Sequence, residues 1–413
     1  MAKQHPADME ADRLIQIQRG LSPATRHGDI ALIVICALLI LSFAIGIYCI
    51  PHRDFSETEN DVLQTFPRLS STGKFLDRLW DGRFMAELKD FYTDQFPFRD
   101  KLVAAKASME LLLGKGENNA VIAAKDSYLI KRIEYSESEL DQLTQNLDAV
   151  TAFREGVDLP VTFALAPRAI DVLDSYFPAV YQNDRAESVW TLIDAYAAEQ
   201  PLLSLRELLR TRAAAGESVW YRTDHHWTTR GAYYAYAELA ALYGYTPTPI
   251  EQFTVEIAST EFLGTTYSAS GFYGTESECI EFYRWDGDDA CTLEILAGDE
   301  MISSFNGFYD RSYLEKKDKY AAFLSSNNAH MRIRDTQNPD KPTLLLIKDS
   351  FAHSVVPFLA QHYNLEILDL RYYRASTVSA FLEKNQVDGV LILCGLDSLA
   401  TSNLLTALPI GLT

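Results

Sequence analysis

The sequence has few cysteines, few histidines and no cluster of basic residues. It contains five cysteines and eight histidines in 413 residues, and no two cysteines have C-x-x-C spacing. The cysteines therefore predict no metal site. Lysine and arginine total 37 against 57 acidic residues, which gives a net charge of −20. A surface that binds nucleic acid needs clustered lysine and arginine, so we expect no nucleic-acid partner.

Apolar and aromatic residues, by contrast, are abundant. The hydrophobic content is 47%, and there are 22 tyrosines. This composition predicts a globular chain with a sizeable core and argues against a disordered one. The length allows one large domain or two ordinary ones.

One apolar run near the N-terminus is long enough to cross a membrane. Residues 30–50 are uncharged, and ~20 apolar residues span a bilayer as a helix. Charges on either side predict a cytoplasmic tail over 1–29 and an extracytoplasmic main domain over 51–413. A cleaved signal peptide is the alternative, but the run exceeds the usual apolar region of ~7–15 residues and no A-x-A site follows it. The flanking charges are Lys3, Arg13, Arg19 and Arg26 before the run, then Arg53, Asp54, Glu57, Glu59 and Asp61.

The rest of the chain divides into two predicted regions. Residues 51–115 form an extracytoplasmic linker with helices: apolar residues recur at helical spacing from Lys74, a break is expected at Pro97, and a second helix follows. In 116–413, apolar strands alternate with helical segments, which predicts an α/β fold, a three-layer sandwich with a mostly parallel sheet. Residues 250–325 are rich in aromatics, Ser, Thr and Gly, and predict an insertion of loops and short strands.

Individual elements can be placed within the α/β region. A hairpin is expected over 121–132, and Ser136 with Glu139 predicts a capping box at the start of a helix. Strands are expected at 160–167, 201–205, 218–223, 343–350, 364–370 and 389–394, and helices at 186–199 and 228–244.

A serine lies at the end of one predicted strand, and open α/β sheets bind ligands at the carboxyl ends of their strands. Ser350 ends the strand and starts a helix. Its hydroxyl should be exposed there, and its backbone N–H should lie at a helix N-terminus, where negative charge is favoured. These features suit an attacking serine. The ordinary alternative for a serine in this position is an N-cap.

A D-x-H pair follows another predicted strand. Residues i and i+2 of an extended segment share a face, so Asp224 and His226 can act together. Asp224 would orient the imidazole, and His226 would take the proton of Ser350. His225 would point the other way, toward the backbone or a structural partner. His353, one turn after the serine, is a rival base.

Several separated motifs resemble those of the DHHW protein family. This family is similar to alginate O-acetylation proteins with an SGNH-hydrolase-like fold, and the resemblance covers residues 51–400. In those relatives the D-x-H pair and the later serine form a triad, which implies Asp224, His226 and Ser350 here. The motifs are SETEN at 56–60, FYTDQFPFRD at 91–100, TDHHWT at 223–228, KDSFAHSVVPFL at 348–359 and LDLRYY at 368–373.

The resemblance implies a membrane-anchored extracytoplasmic O-acyltransferase or acetylesterase that acts on an exported or cell-envelope polysaccharide. A membrane-bound O-acyltransferase is the implied partner that would supply the acyl group. We expect no metal and no cofactor. The alternative is a non-catalytic glycan-binding or scaffold protein of envelope polysaccharide assembly, which the aromatic-rich insertion would suit.

The sequence also departs from the family pattern. The serine block is often Gly-Asp-Ser, but Lys348 occupies the place of the glycine, which leaves the oxyanion hole unassigned. Arg371 is a candidate electrophile because it follows the neighbouring strand; a salt bridge with Asp369 or Asp349 is the alternative for it.

Two aromatic residues and two cysteines remain to be assigned. Tyr267 could contact substrate from a loop, and Trp227 could form a platform for a sugar, with packing as the alternative for both. Cys279 and Cys291 are close in sequence in an extracytoplasmic region, so they form either a disulfide or two free thiols.

The letters DHH also occur in phosphoesterases that bind manganese. Those enzymes need further aspartate motifs before the DHH, whereas the nearest aspartate run here, DGDD at 286–289, comes after it. They are also cytosolic as a rule, while this motif is expected outside the membrane. The phosphoesterase interpretation is therefore disfavoured.

Overall fold

A computed structural model describes residues 23–56, 61–67, 72–178, 181 and 184–412. These residues form two compact units, which divide between Val103 and Ala104. Most of the predicted cytoplasmic tail, residues 1–22, lies outside the described residues, and so do positions 57–60 of the SETEN motif.

The first unit begins with the long apolar helix α1 (Pro23–Cys49). Its segment His27–Cys49 has a mean hydropathy of 3.1 and is long and apolar enough to cross a membrane, a property that signal sequences share. Helix α1 contains most of the apolar run at 30–50. Two short strands, β1 (Phe55–Ser56) and β2 (Asp61–Val62), pair antiparallel after it.

The helices that follow are more broken than the sequence pattern predicts. They are α2 (Thr72–Trp80), α3 (Arg83–Asp94) and α4 (Arg99–Leu112). The break near Pro97 is present, but an earlier one lies at Gly82, whose φ of 79° is in the left-handed region. Glycine adopts this conformation without steric cost, so the chain turns there despite the continuous apolar spacing.

The second unit is built around one eight-stranded sheet with the order β11-β10-β12-β14-β13-β15-β6-β7. The five strands from β14 to β7 are parallel, while β12, β10 and β11 are antiparallel. The sheet is therefore mixed, and the prediction of a mostly parallel sheet describes one side of it. The strands are β6 (Val161–Ala166), β7 (Leu203–Ser204), β10 (Cys291–Ala297), β11 (Glu300–Asn306), β12 (His330–Asp335), β13 (Thr343–Lys348), β14 (Asn364–Leu368) and β15 (Gly389–Gly395).

Helices cover both faces of this sheet. Along β13, Leu344 and Leu346 pack into one core, whereas Leu345 and Ile347 pack into the core on the opposite face. Both faces of the strand are thus buried, which explains why its sequence is continuously apolar. The helices are α5 (Glu137–Gly156), α6 (Ala169–Val172), α7 (Asp184–Glu199), α8 (Arg206–Ala214), α9 (Thr229–Tyr243), α10 (Thr265–Ser270), α11 (Val356–Leu359), α12 (Val378–Lys384) and α13 (Leu396–Thr401).

Local signals in the sequence mark several of these elements correctly. Helix α5 begins with the predicted capping box, in which Ser136 and Glu139 each satisfy a backbone N–H of the other. The predicted hairpin is present as β4 (Val121–Ala123) and β5 (Leu129–Lys131). A third strand, β3 (Glu117–Asn118), extends it.

The predicted insertion contributes more to the sheet than expected. Its first part forms a separate antiparallel pair of β8 (Thr254–Phe262) and β9 (Glu278–Arg284). Its second part supplies β10 and β11, which extend the main sheet. Buried and half-buried residues alternate along β10, so it lacks the continuous apolar run that marks the parallel strands. Cys279 is exposed and Cys291 is buried, both as free thiols.

Candidate active site

Ser350 lies at the carboxyl edge of the parallel strands, immediately after β13. The preceding residue, Asp349, caps the short 3₁₀ helix Ser350–Ser354 by accepting the Phe351 N–H at 2.9 Å. Its other oxygen accepts the Gly395 N–H at the end of β15, at 2.8 Å. Because Asp349 is the cap, the hydroxyl of Ser350 is left for another partner, and this side chain is half-buried.

The D-x-H pair lies in a tight turn and not in a strand. Within the predicted strand 218–223, only Trp220 forms a bridge, and its partner is Trp227 on the other side of the turn. The Asp224 carboxylate accepts the His226 N–H at 3.0 Å, a local bond by which aspartate favours turns. The prediction of a strand here is wrong because this side chain satisfies the backbone that a strand would pair.

The turn brings the predicted pair to the serine. The distance between His226 Nδ1 and Asp224 Oδ1 is 2.6 Å, and that between His226 Nε2 and Ser350 Oγ is 2.8 Å. Asp224 is 2% exposed and His226 is 5% exposed. If Nδ1 carries the proton and donates it to Asp224, Nε2 is free to accept from the serine hydroxyl. This geometry can deprotonate Ser350.

Asp224 is fixed from its other side by the segment before and within α10. Its Oδ2 accepts the Thr265 N–H at 2.7 Å and the Thr265 hydroxyl at 2.9 Å. A Cβ on Gly264 would lie 2.4 Å from the Asp224 side chain, so only glycine permits this approach. Burial disfavours the charged carboxylate, but His225, His226 and the hydrogen bonds from His226 and Thr265 hold the pKa of Asp224 well below its usual value.

Glu278, at the start of β9, fixes the backbone just before the turn. Its carboxylate accepts the N–H of Arg222 at 2.8 Å and the N–H of Thr223 at 2.7 Å. Burial raises the pKa of Glu278, although these bonds favour its charged form. The inserted hairpin therefore holds the turn that carries Asp224.

His225 does not point away from His226 as the strand geometry predicts. The two rings lie side by side, with centroids 3.8 Å apart. His225 Nδ1 lies 2.7 Å from Thr265 Oγ1, so the expected structural partner is a threonine side chain. His225 retains 43% side-chain exposure.

His353 belongs to a separate buried cluster that we define as Lys348, His353, Asp369 and Arg371. Lys348 donates to His353 Nε2 at 2.7 Å and to Asp369 at 3.2 Å. Arg371 binds both oxygens of Asp369, at 2.9 and 2.7 Å. Burial lowers the pKa of Lys348, and burial together with Lys348 holds the pKa of His353 well below its usual value. The structure thus places Arg371 in a salt bridge and gives His353 a hydrogen bond to Lys348, while the described partner of the Ser350 hydroxyl is His226.

The two predicted aromatic contacts are packing residues. Trp227 is fully buried, so it is not a platform for a sugar; instead its Nε1–H donates to the Phe351 carbonyl at 3.0 Å and to Ser354 at 3.1 Å. It thereby ties the D-x-H turn to the serine segment. Tyr267 is 7% exposed and packs in an apolar cluster with Phe272.

Tyr320 completes the site and was not predicted. Its ring stacks on His226 at a centroid distance of 3.9 Å and an angle of 7°. Its hydroxyl donates to the Ser350 carbonyl at 3.1 Å. Tyr320 therefore contacts both His226 and the serine segment. Its place in an irregular segment, the 3₁₀ helix Tyr320–Ala322, gives no sequence signal for this role.

The D-x-H turn also has the donor atoms of a metal site. Asp224, His225 and His226 each offer a ligand atom, and these atoms lie within 4.8 Å of one another. Both nitrogens of His226 are engaged by Asp224 and Ser350. A metal ion that used either nitrogen of His226 would replace one of those contacts.

Solved structures with a similar fold include two bacterial proteins. One is a DHHW family protein from Eubacterium siraeum, with 19% identity, a TM-score of 0.57, and coverage of 70% of this chain and 95% of that one. The other is PatB1 from Bacillus cereus with a sulfonyl adduct, with 18% identity, a TM-score of 0.55, and coverage of 69% and 98%. At such identities the similarity establishes a common fold.

Sequence comparison matches part of the chain to a family. No curated protein matches the chain. A family model described as DHHW protein matches residues 179–368, a range that contains the D-x-H turn, the inserted strands and Ser350. The resemblance to the DHHW protein family is therefore confirmed over residues 179–368.

Proposed function

We propose that the second unit is a serine-dependent O-acyltransferase or acetylesterase with an SGNH-like fold, acting on an exported or cell-envelope polysaccharide. The observation that carries the proposal is the unbroken line of hydrogen bonds from Asp224 through His226 to Ser350. A nucleophile, a base and an orienting acid in this order are what acyl transfer requires. Their place at the carboxyl edge of parallel strands supports the assignment.

Acylation would proceed as follows. Ser350 Oγ attacks the carbonyl carbon of an acetyl ester while His226 Nε2 takes the hydroxyl proton. The bond between the carbonyl carbon and the donor oxygen breaks, and His226 returns the proton to that oxygen. Ser350 then carries the acetyl group, and the donor leaves as an alcohol. Asp224 stabilises the imidazolium that forms in between.

Deacylation repeats these steps in the opposite sense. A sugar hydroxyl attacks the acetyl-serine while His226 takes its proton, the bond to Ser350 Oγ breaks, and His226 returns the proton to the serine. The products are an acetylated sugar and free enzyme. Water in the place of the sugar hydroxyl gives hydrolysis, so a transferase must keep water out.

We further propose that α1 anchors the chain, with its N-terminus in the cytoplasm and the second unit outside. The support is the length and apolarity of α1 together with the basic residues that precede it in the sequence. A membrane-bound O-acyltransferase would then supply the acyl group. The family resemblance alone supports that partner.

Trapping of the nucleophile gives a direct test. PatB1 of Bacillus cereus has been solved with a sulfonyl adduct, and sulfonyl fluorides react with activated serines. Full-length protein in detergent should be labelled by phenylmethylsulfonyl fluoride on Ser350, as located by peptide mass spectrometry. His226→Ala should slow this labelling strongly, because the serine loses its base.

Turnover of a chromogenic acetyl ester completes the test. Ser350→Ala and His226→Ala should lose turnover, while Ser376→Ala, an exposed serine outside the site, should keep it. Equal turnover in all three variants would contradict the proposed triad. Normal polysaccharide modification in cells that carry only Ser350→Ala would favour the scaffold function.

A further inference from the structure

A cavity lies beside the D-x-H turn. It is a cleft of about 520 Å³, within the range of ~300–1,000 Å³ that is usual for ligand sites. Ser350, Asp224 and His226 are not among the described residues that line it. Its walls come from the β4–β5 turn, the segment that leads into the D-x-H turn with the start of α9, and β9.

Arg222 is the cationic group that the protein leaves unused in this cleft. Its backbone N–H binds Glu278, but its half-buried guanidinium makes no hydrogen bond or ion pair with any residue that the structure describes. Arg230, on the same wall, is paired with Glu217 at 3.6 Å. In a chain with a net charge of −20, a half-buried arginine whose guanidinium makes no hydrogen bond to a described residue can offer its five N–H donors to a ligand.

The cleft is also lined by an aromatic ring. Tyr176 is half-buried and packs edge-to-face on Tyr128, which is buried in the core, with ring centroids 4.8 Å apart. The ring of Tyr176 can cover the apolar C–H face of a ligand while its hydroxyl remains polar. The exposed Asp126 and the half-buried Glu281 add acceptors at the rim.

This combination fits a neutral saccharide. Sugar hydroxyls both donate and accept, so they can pair with the Arg222 guanidinium and with the carboxylates of Asp126 and Glu281. The same carboxylates, together with Glu217 and Glu278, disfavour an anionic ligand in the cleft.

We propose that this cleft is a binding site for a neutral sugar unit, separate from the site of acetyl transfer. This inference rests on the proposed function in one respect, namely that the sugar unit belongs to a polysaccharide. The cleft would hold one part of the polymer while another part lies at Ser350. Glu278 lines the cleft and also fixes the backbone before Asp224.

A native thiol reports on occupancy of the cleft. Cys279 lines the cleft and is exposed, whereas Cys291 and Cys394 are buried. Alkylation of Cys279 by iodoacetamide would be followed by peptide mass spectrometry on full-length protein in detergent. Cellotetraose and mannotetraose, each added alone, serve as neutral probes. A bound tetrasaccharide present at four times its dissociation constant should slow alkylation about fivefold.

Variants show where the protection comes from. Arg222→Leu and Tyr176→Ala should lose the protection, while Ser350→Ala and Arg374→Leu, an exposed arginine outside the cleft, should keep it. Unreactive Cys291 and Cys394 in each variant show that the second unit is folded. Protection in the wild type that disappears in Arg222→Leu but not in Ser350→Ala is the result we expect.

Three outcomes would overturn the inference. They are an unchanged alkylation rate with both neutral tetrasaccharides, protection that persists in both cleft variants, and protection by tetragalacturonate alone. Saccharide binding in a protein without Ser350-dependent ester turnover would contradict the proposed function but leave the cleft site standing. The reverse result would remove the cleft site and leave the triad.

Discussion

His226 in the D-x-H turn and His353, three residues after Ser350, differ in the hydrogen-bond partners of their ring nitrogens. His226 is bound to Asp224 through Nδ1, so its Nε2 is available to the serine hydroxyl. His353 accepts the Lys348 ammonium at Nε2, and its Nδ1 has no partner among the described residues. Nearness to a serine therefore does not make a base. The partner on the far nitrogen decides whether the imidazole serves chemistry or packing.

Removal of each imidazole in turn should give the largest difference in kcat between the two histidines. In His226→Ala, kcat for an acetyl ester should fall about 1,000-fold, because Ser350 loses its general base. In His353→Asn, kcat should stay close to that of the wild type, because His353 makes no contact with the serine hydroxyl. Steady-state kinetics on the two variants measure the difference.

The expected stability change runs the other way. His353→Asn should lower the free energy of unfolding, since the buried Lys348 ammonium loses its nearest acceptor, while His226→Ala should change it less. A larger loss of kcat in His353→Asn than in His226→Ala would reverse the assignment of the base.

Substitution of Lys348 tests how much the ion pair in the buried cluster contributes to stability. Lys348→Met should lower the free energy of unfolding by about 3 kcal/mol, because it breaks a fully buried ion pair with Asp369. The matched control is Lys384→Met, which removes an exposed pair with Asp299 whose side chains are 60% and 83% exposed. That change should cost less than about 1 kcal/mol. Urea titrations at neutral pH give both values, and equal losses would contradict a structural role for Lys348.

The parts of the site that the sequence could predict depend on local signals. Ser350 follows an apolar strand, so it could be placed at a sheet edge. Asp224 and His226 could be paired because they are two residues apart, although the strand expected before them is absent. The partners that hold them could not be predicted. Thr265, Glu278 and Tyr320 are distant in sequence, and a side-chain hydrogen bond between distant segments leaves no periodic pattern in either one.

The errors in the fold have a similar origin. The long parallel strands are mostly apolar because helices bury both of their faces, and a sequence pattern shows this directly. In the antiparallel strand β10, buried and half-buried residues alternate. Its sequence pattern is therefore harder to recognise than that of the parallel strands. The sequence predicts a strand over 218–223, because valine, tryptophan and tyrosine are common in strands. The Asp224 side chain, which accepts the His226 N–H, is what turns the chain there.

Thr265 tests how Asp224 is supported by its hydrogen-bond donors. Thr265→Val removes the hydroxyl donor to Asp224 Oδ2 and the hydroxyl partner of His225 Nδ1, and it keeps the backbone donor to Asp224. A hydrogen bond to a charged group contributes ~1.5–3 kcal/mol, so kcat should fall about 30-fold with KM unchanged. Thr275→Val, which removes a hydroxyl bound to the Phe272 carbonyl, is the control. A change in KM alone would show that Thr265 contacts substrate and does not position Asp224.

The pH dependence of stability gives the finest comparison. Burial and Lys348 hold the pKa of His353 well below its usual value, so the folded protein keeps this imidazole neutral while the unfolded chain takes up a proton below ~pH 6.5. The unfolded state then binds more protons. The free energy of unfolding therefore falls as the pH falls, by up to about 1.4 kcal/mol per pH unit. Urea titrations of His353→Phe should show a shallower slope between about pH 6.5 and 5.

The same titrations at about pH 8 isolate the change in packing, because the imidazole is neutral in both states there. Subtraction of that difference leaves the protonation effect of His353 alone. If the slope below ~pH 6.5 is the same in the variant and the wild type, His353 is protonated in the folded protein. In that case His353 Nε2 cannot accept from Lys348. His353 and His226 would then no longer differ in which ring nitrogen accepts a hydrogen bond.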